Sequence, residues 1–286
     1  MSARPFRFGV NMAICESRAK WRDKARRAED LGYDVIQVPD HLGLPAPFPA
    51  LAAAAEVTTT ARLGTYVLNA GFYRPALLAR EVATTDLLVD GRLELGLGAG
   101  YVKEEFDAVG LPFPNAGERV DHLTHTVTEL RRLFADHQPP VAQQPGPPIM
   151  IAGTGPRVLR FAAEHADIVG IAGALPLDDN DTGHAALAKK MELVRAAAAP
   201  RETEPELNLL IQGAFPDAST ADLSFQRQLA PGLSDERIRK LPGILSGSAS
   251  AIADTLREYR ETYGLTYFSV VELSMDTFAE AIALLR

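Results

Sequence analysis

Gly91-Arg92-Leu93-Glu94-Leu95-Gly96-Leu97-Gly98-Ala99-Gly100-Tyr101-Val102-Lys103-Glu104-Glu105-Phe106 runs from an apolar strand pattern into glycines and then into charge. Leu93, Leu95 and Leu97 alternate as in a strand, and Gly98 and Gly100 remove side chains where it ends. A flat ligand can then approach the backbone closely. A dinucleotide fingerprint starting at Gly96 needs a third glycine at position 101, where Tyr101 stands. A strand ending at a ligand floor is the leading reading, and the nucleotide fold is its weaker rival.

Working outward, strand-like runs fall at 6–10, 35–38, 61–68, 93–97, 148–152, 168–171, 207–212 and 267–273. Helix-like runs fill the gaps at 18–31, 49–59, 75–89, 119–135, 156–164, 183–198, 250–263 and 277–285. Eight strand-helix units predict an α/β chain folded as a (β/α)8 TIM barrel. A doubly wound nucleotide fold usually has fewer strands and a glycine fingerprint in its first strand-helix turn, and the turn here, 11–17, carries no glycine. Pro49, Pro75 and Pro156 stand where a helix start tolerates a missing N–H. Residues 1–286 read as one barrel domain with an insertion, 214–247, after the seventh strand. That insertion lies on the face where barrel active sites form, and it is either a lid or a surface excursion. The proline-rich stretch 139–148 reads as a stiff connection on the opposite face.

Composition narrows the function classes. With 47% hydrophobic and 23% charged residues the chain is ordinarily globular. A net charge of -8 excludes a phosphate-backbone partner, so no nucleic acid is expected. The lone Cys15 forms no internal disulfide, and Met1-Ser2-Ala3-Arg4-Pro5-Phe6 lacks the apolar run of a signal peptide. No apolar stretch is long enough to span a membrane. A soluble cytoplasmic protein is the expectation.

In such a barrel only strand ends meet a substrate. Here they are Asn11, Asp40-His41, Asn69, 98–105, Gly153-Thr154-Gly155, Gly173, Gln212-Gly213 and Glu272. Gly153-Thr154-Gly155-Pro156-Arg157 follows an apolar strand and opens a helix. Free N–H groups and the helix dipole favour an anion there, with Arg157 adding charge; the alternative is a glycine turn that only starts a helix. Asp40-His41 sets an imidazole beside a carboxylate at the mouth, fit for base, acid or donor, or simply structural. His122, His125 and Glu129 have helical metal-ligand spacing but read as a solvated face. No metal site and no G-x-S-x-G nucleophile elbow is found.

Asp40-His41, Gly64-Thr65-Tyr66-Val67-Leu68-Asn69, Arg74-Pro75-Ala76-Leu77-Leu78-Ala79-Arg80-Glu81, 91–100 and Ile151-Ala152-Gly153-Thr154-Gly155-Pro156, in this order, resemble the luciferase-like monooxygenase superfamily. The closest resemblance is to its oxidoreductases that use the deazaflavin coenzyme F420. The resemblance implies a non-proline cis peptide bond at Tyr66-Val67, behind the deazaflavin ring. It implies ring and backbone contacts at Asp40, Val67, Asn69, Gly98 and Gly100, with the cofactor's phosphate at Gly153, Thr154 and Gly155. His41 matches the active-site base of F420-dependent sugar-phosphate and alcohol dehydrogenases. The chain departs from the sugar-phosphate enzymes where their glutamate after the glycines is Tyr101 and their tryptophan after the histidine gives way to Leu44-Pro45. Tyr101 is left to donate a proton or stack on substrate, and Glu104 or Glu105 to reach inward or serve the helix start.

The expected function is hydride transfer between F420 and an unidentified small organic substrate. An FMN-dependent two-component monooxygenase and a non-catalytic deazaflavin-binding protein are the alternatives. A homodimer is implied by the resemblance alone.

Overall fold

The computed structural model describes residues 4–136, 139–173, 183–217, 219 and 221–286. Chain order begins with β1 (Arg7–Asn11), α1 (Arg18–Asp30), β2 (Val35–Val38) and α2 (Pro47–Ala55). The third strand is in two pieces, β3 (Arg62–Thr65) and β4 (Leu68–Asn69), followed by α3 (Pro75–Leu88). β5 (Leu93–Gly98) leads into a short α4 (Lys103–Ala108) and the long α5 (Ala116–Ala135). β6 (Ile149–Gly153), α6 (Pro156–His165), β7 (Ile168–Ile171) and α7 (His184–Ala198) come next. β8 (Glu206–Ile211) opens an excursion holding β9 (Gly213–Phe215), α8 (Ser224–Leu229), α9 (Asp235–Ile238) and β10 (Ile244–Ser246). α10 (Ala249–Tyr263), β11 (Tyr267–Val271) and α11 (Met275–Ile282) complete the ring.

Neighbouring strands run β3-β2-β1-β11-β8-β7-β6-β5-β4, and β3 also pairs with β5, which closes a parallel barrel of eight strand positions. Phe8, Val10, Ile36, Val38, Leu95, Leu97, Ile151, Val169, Leu209, Phe268 and Val270 point outward and are buried with Trp21, Leu51, Val82, Leu130, Leu159, Leu256 and Phe278 of the helices. The outward positions of the strands are apolar under the helices, and β6 and β7 are apolar on both faces.

The interior is mixed. Val35, Tyr66, Met150, Ile168 and Tyr267 cluster inside. The Tyr66 hydroxyl donates to Asn208 Oδ1 at 2.9 Å, Asn208 Nδ2 donates to Ser269 Oγ at 2.9 Å, and Gln37 Nε2 donates to the Tyr267 hydroxyl at 2.9 Å. At the N-terminal ends of the strands Arg7 pairs with both Glu94 and Glu206, while Arg62 Nε reaches Glu94 at 2.7 Å. Burial opposes the Arg7 charge, but Glu94, Tyr267 and Glu206 outweigh it and raise its pKa. Burial also lifts the Glu206 carboxyl above its ordinary value, with Arg7 pulling the other way.

Several expectations are refined. The single strand over 61–68 is broken: a cis peptide bond joins Tyr66 to Val67, the bond the resemblance implies, and the ladder resumes only at Leu68. α5 starts three residues earlier than predicted, because Asn115 and Glu118 form a reciprocal capping box. α4 and the β9–β10 pair were not predicted, being six and three residues long. The excursion carries its own apolar cluster of Leu223, Ile238, Leu241 and Ile244. Its positions 218 and 220 lie outside the described residues. Among the described residues no helix is long and apolar enough to cross a membrane.

Candidate active site

The C-terminal ends of the strands bring most of the expected residues together. Asn69 is opposite Gly98 in the β4–β5 register, and Asp40 Oδ2 accepts the Asn69 N–H at 3.0 Å and the Tyr73 hydroxyl at 3.3 Å. Burial pushes the Asp40 carboxyl up, against these two donors. Burial and the Asp40 charge push the Tyr73 hydroxyl up as well, so it remains a donor.

The carboxylate beside His41 is Glu105 rather than Asp40. His41 Nδ1 lies 2.9 Å from Glu105 Oε1, which also accepts the Leu42 N–H at 3.1 Å. The adjacent Asp40 has its own partners across the β2–β4 gap, so sequence proximity misdirected the pairing. Glu104 and Glu105 lie in the first turn of α4, the favoured end of the helix dipole for a carboxylate. The helix-start role and the inward reach thus coincide in Glu105, whose side chain is 13% exposed. Tyr101 is exposed, with its ring edge-on to His41 at a centroid distance of 6.0 Å.

The glycine floor needs correction. A Cβ on Gly98 would sit 2.9 Å from Val67 Cγ2, and one on Gly96 would sit 2.9 Å from Val67 Cγ1 and inside contact distance of the Thr65 carbonyl. At Gly100, φ +73°, the space is taken by the Asn69 amide, 2.6 Å away at its Cγ. The glycines therefore make room for the side chains of Val67, which is half-buried, and Asn69, which is buried. The Tyr66 side chain is buried in the barrel interior, its hydroxyl on Asn208.

Other residues fix the rim. Asn69 Oδ1 accepts the Gly71 N–H at 3.0 Å and opens a 3₁₀ turn at Ala70–Phe72. Arg119 Nε donates to the Gly100 carbonyl at 2.9 Å while its guanidinium lies over the Phe113 ring. Neither tie was read from the sequence: the first is a local turn at the end of β4, and the second links Arg119 of α5 back to the loop after β5. Glu272, a strand-end candidate, accepts the N–H groups of Ala13 and Ile14 and pairs with Lys24. His122 Nε2 lies 3.0 Å from the Ala70 carbonyl, and among the described residues no cluster suited to a metal ion occurs.

On the neighbouring strand, Gly153 ends β6 and Gly155 is the N-cap of α6, with no side-chain cap and Pro156 in the first turn. No atom lies within 4 Å of a Cβ built on Gly155, so the approach is open. Arg157 pairs with Asp121 and donates to the Gly117 carbonyl at 3.1 Å, both on α5. The buried Asn11 Oδ1 at the end of β1 has no hydrogen-bond partner among the described residues. A flat ring with hydrogen-bonding edges and an anionic tail suits this donor set: an apolar platform at Val67, an orphaned acceptor at Asn11 and an uncapped helix start.

The model of the family described as luciferase-like monooxygenase matches residues 6–222. An F420-dependent glucose-6-phosphate dehydrogenase of Intrasporangium calvum is 35% identical over 170 residues, 51% of this chain and 51% of that protein. The oxygenase component of a flavin-dependent trigonelline monooxygenase of Acinetobacter baylyi is 31% identical over 42% of this chain and 38% of its own. The aligned part thus spans about half the length of the first relative and less of the second. The F420-dependent tetrahydromethanopterin reductase of Methanopyrus kandleri superposes with a TM-score of 0.77 at 17% identity, covering 99% of this chain and 100% of that one, a likeness of fold.

Proposed function

We propose an F420-dependent oxidoreductase for this chain, which belongs to the luciferase-like monooxygenase family. Its cofactor-binding residues are Asp40, Val67, Asn69, Gly98 and Gly100 at the ring, through backbone or through the side chains they seat, with Gly153, Thr154 and Gly155 at the phosphate. A bound deazaflavin supplies a carbon that accepts or gives hydride. Hydride transfer at an alcohol or carbonyl carbon must be matched by a proton at its oxygen. The observation that carries the reading is the His41 imidazole, held by Glu105 at the same mouth as the Val67 platform. His41 takes or returns that proton, and Tyr101 borders the substrate at the His41 edge.

Purified protein is expected to bind F420 tightly in a fluorescence titration and FMN at least tenfold more weakly. The reverse order, with oxygen consumed alongside reduced FMN, would favour the monooxygenase reading, for which the trigonelline relative speaks. Replacing His41 by alanine should lower turnover by roughly 10²–10⁴-fold, the usual weight of a general acid or base, without changing F420 affinity. Binding without any turnover in the wild type would instead leave a carrier.

The same proposal covers a cytoplasmic protein with one barrel domain over 1–286, the 214–247 excursion bordering the mouth, a small-molecule substrate, and neither nucleic acid nor membrane as partner. It includes a homodimer. α3 leaves Leu77 and Leu88 about half or more exposed, and eleven residues, close to three helical turns, put them on one face. Light scattering at micromolar concentration should return twice the chain mass, and Leu88→Asp should return the monomer. A monomeric wild type would remove this part of the proposal.

A further inference from the structure

We infer that Glu105 is a positioning residue that fixes the tautomer of His41 and so leaves Nε2 as the nitrogen with the free lone pair. The inference rests on the proton-handling role of His41 proposed above, but its first observable is a property of the free protein.

Three observations carry it. Glu105 Oε1 stands 2.9 Å from His41 Nδ1 and takes the Leu42 N–H at 3.1 Å, so one oxygen fastens both the ring and the backbone just after it. The Glu105 side chain is 13% exposed and that of His41 is 37% exposed, so the carboxylate is withdrawn while the ring keeps an open side. The next residue, Phe106, is buried between Phe72 at 5.1 Å and Phe113 at 5.2 Å between ring centroids, which anchors α4 and with it the carboxylate. Asp40 also lies within electrostatic reach of the ring, but its hydrogen-bond partners through Oδ2 are Asn69 and Tyr73, and the ring nitrogen's partner is Glu105.

An ionised carboxylate can only accept hydrogen bonds. When the imidazole is neutral, Nδ1 must therefore carry the hydrogen, and Nε2 keeps the lone pair. A histidine ring in water prefers the opposite form, so the carboxylate inverts an intrinsic preference. Were a deazaflavin bound to take up the hydride of an alcohol's C–H bond, the proton of its O–H bond would pass to Nε2. Nε2 then holds the proton, and Glu105 faces the cation formed. The reverse direction returns that proton to the carbonyl oxygen.

The test uses the full chain labelled with ¹⁵N-histidine at alkaline pH, the His41 signals being assigned by their loss in His41→Ala. Wild type is expected to show a protonated Nδ1 and a bare Nε2. Glu105→Ala should shift the ring toward the Nε2–H form, whereas Glu105→Gln, which keeps an acceptor oxygen, should retain the wild-type pattern. If alanine unfolds the protein, Glu105→Met fills the volume without an acceptor and should behave as predicted for alanine. With F420 and a turned-over substrate, Glu105→Ala should lower kcat about 100-fold and leave KM within a few-fold, with glutamine restoring at least tenfold. A wild-type ring already in the Nε2–H form overturns the inference. So does a ring whose pattern is unmoved by alanine or methionine, or a loss confined to KM or folding. A tautomer pattern as predicted in a protein that turns over neither F420 nor FMN would sink the hydride-transfer reading and leave the positioning intact.

Discussion

Alanine at Gly96 is expected to destabilise the protein by about 3 kcal/mol and to weaken cofactor binding by tenfold or more. The added methyl would meet the Thr65 carbonyl and Val67 Cγ1 together. Thr65 cannot step aside, because its hydroxyl both accepts the Gly96 N–H and donates to the Gly96 carbonyl, each at 2.8 Å. Overpacking a rigid site costs roughly 1–3 kcal/mol and sometimes more, which for a chain of this size lowers Tm by about 6–12 °C. Val67 is the part able to move, so the platform absorbs the displacement. Gly155→Ala is the control: nothing lies within 4 Å and the backbone φ is -79°, so its Tm should stay within about 2 °C of wild type. A Gly96→Ala protein that melts with the wild type would show that the glycine is not required for packing.

Arg7→Met is expected to be the costliest substitution at the closed end of the barrel. Arg7 lies between Glu94 and Glu206 and over the Tyr267 ring, 4.5 Å from its centroid. Methionine keeps much of the apolar stem but leaves Glu206 without the guanidinium that faces it, whereas Glu94 keeps Arg62. Breaking a buried pair from one side costs about 3–5 kcal/mol, so a Tm fall of roughly 10 °C or more is expected. The double variant Arg7→Met with Glu206→Gln should recover part of it. The deficit also has a sign in pH. A carboxyl raised in the folded state binds more protons folded than unfolded, so stability falls as pH rises from the ordinary carboxyl value through the raised one. The Glu206 carboxyl is already raised by burial, so the variant should recover relative to wild type as the solution is acidified. Equal deficits at acidic and neutral pH would argue that lost packing, not stranded charge, is responsible.

Much of the barrel was legible because its strands are apolar at least on the face under the helices: 148–152 and 168–171 are apolar throughout, and 93–97 announces itself by alternation. The break at Tyr66-Val67 left no mark in composition; resemblance alone pointed to it. The capping box at Asn115 and Glu118 was readable and would have set the start of α5 correctly. The site was legible as a set of strand ends, but its pairings were not. Asp40 finds Asn69 and Tyr73, and His41 finds Glu105, 64 residues on, through strand adjacency that no local pattern encodes. The glycines were read as space left for a ligand, when the chain itself fills that space with Val67 and Asn69.

Asp40 and Glu105 fasten successive residues of one loop to different strands: Asp40 holds Asn69 of β4, and Glu105, beyond β5, holds His41 and Leu42. Side chains that in another barrel would be ordered only by an arriving ligand are here ordered beforehand, so the entropy of arranging them falls on folding rather than on binding. Such a mouth trades adaptability for readiness. Differences between substrates would then arise from how each fits a surface that does not yield, and a new specificity would have to be cut into the rim around these two carboxylates rather than gained by loosening them.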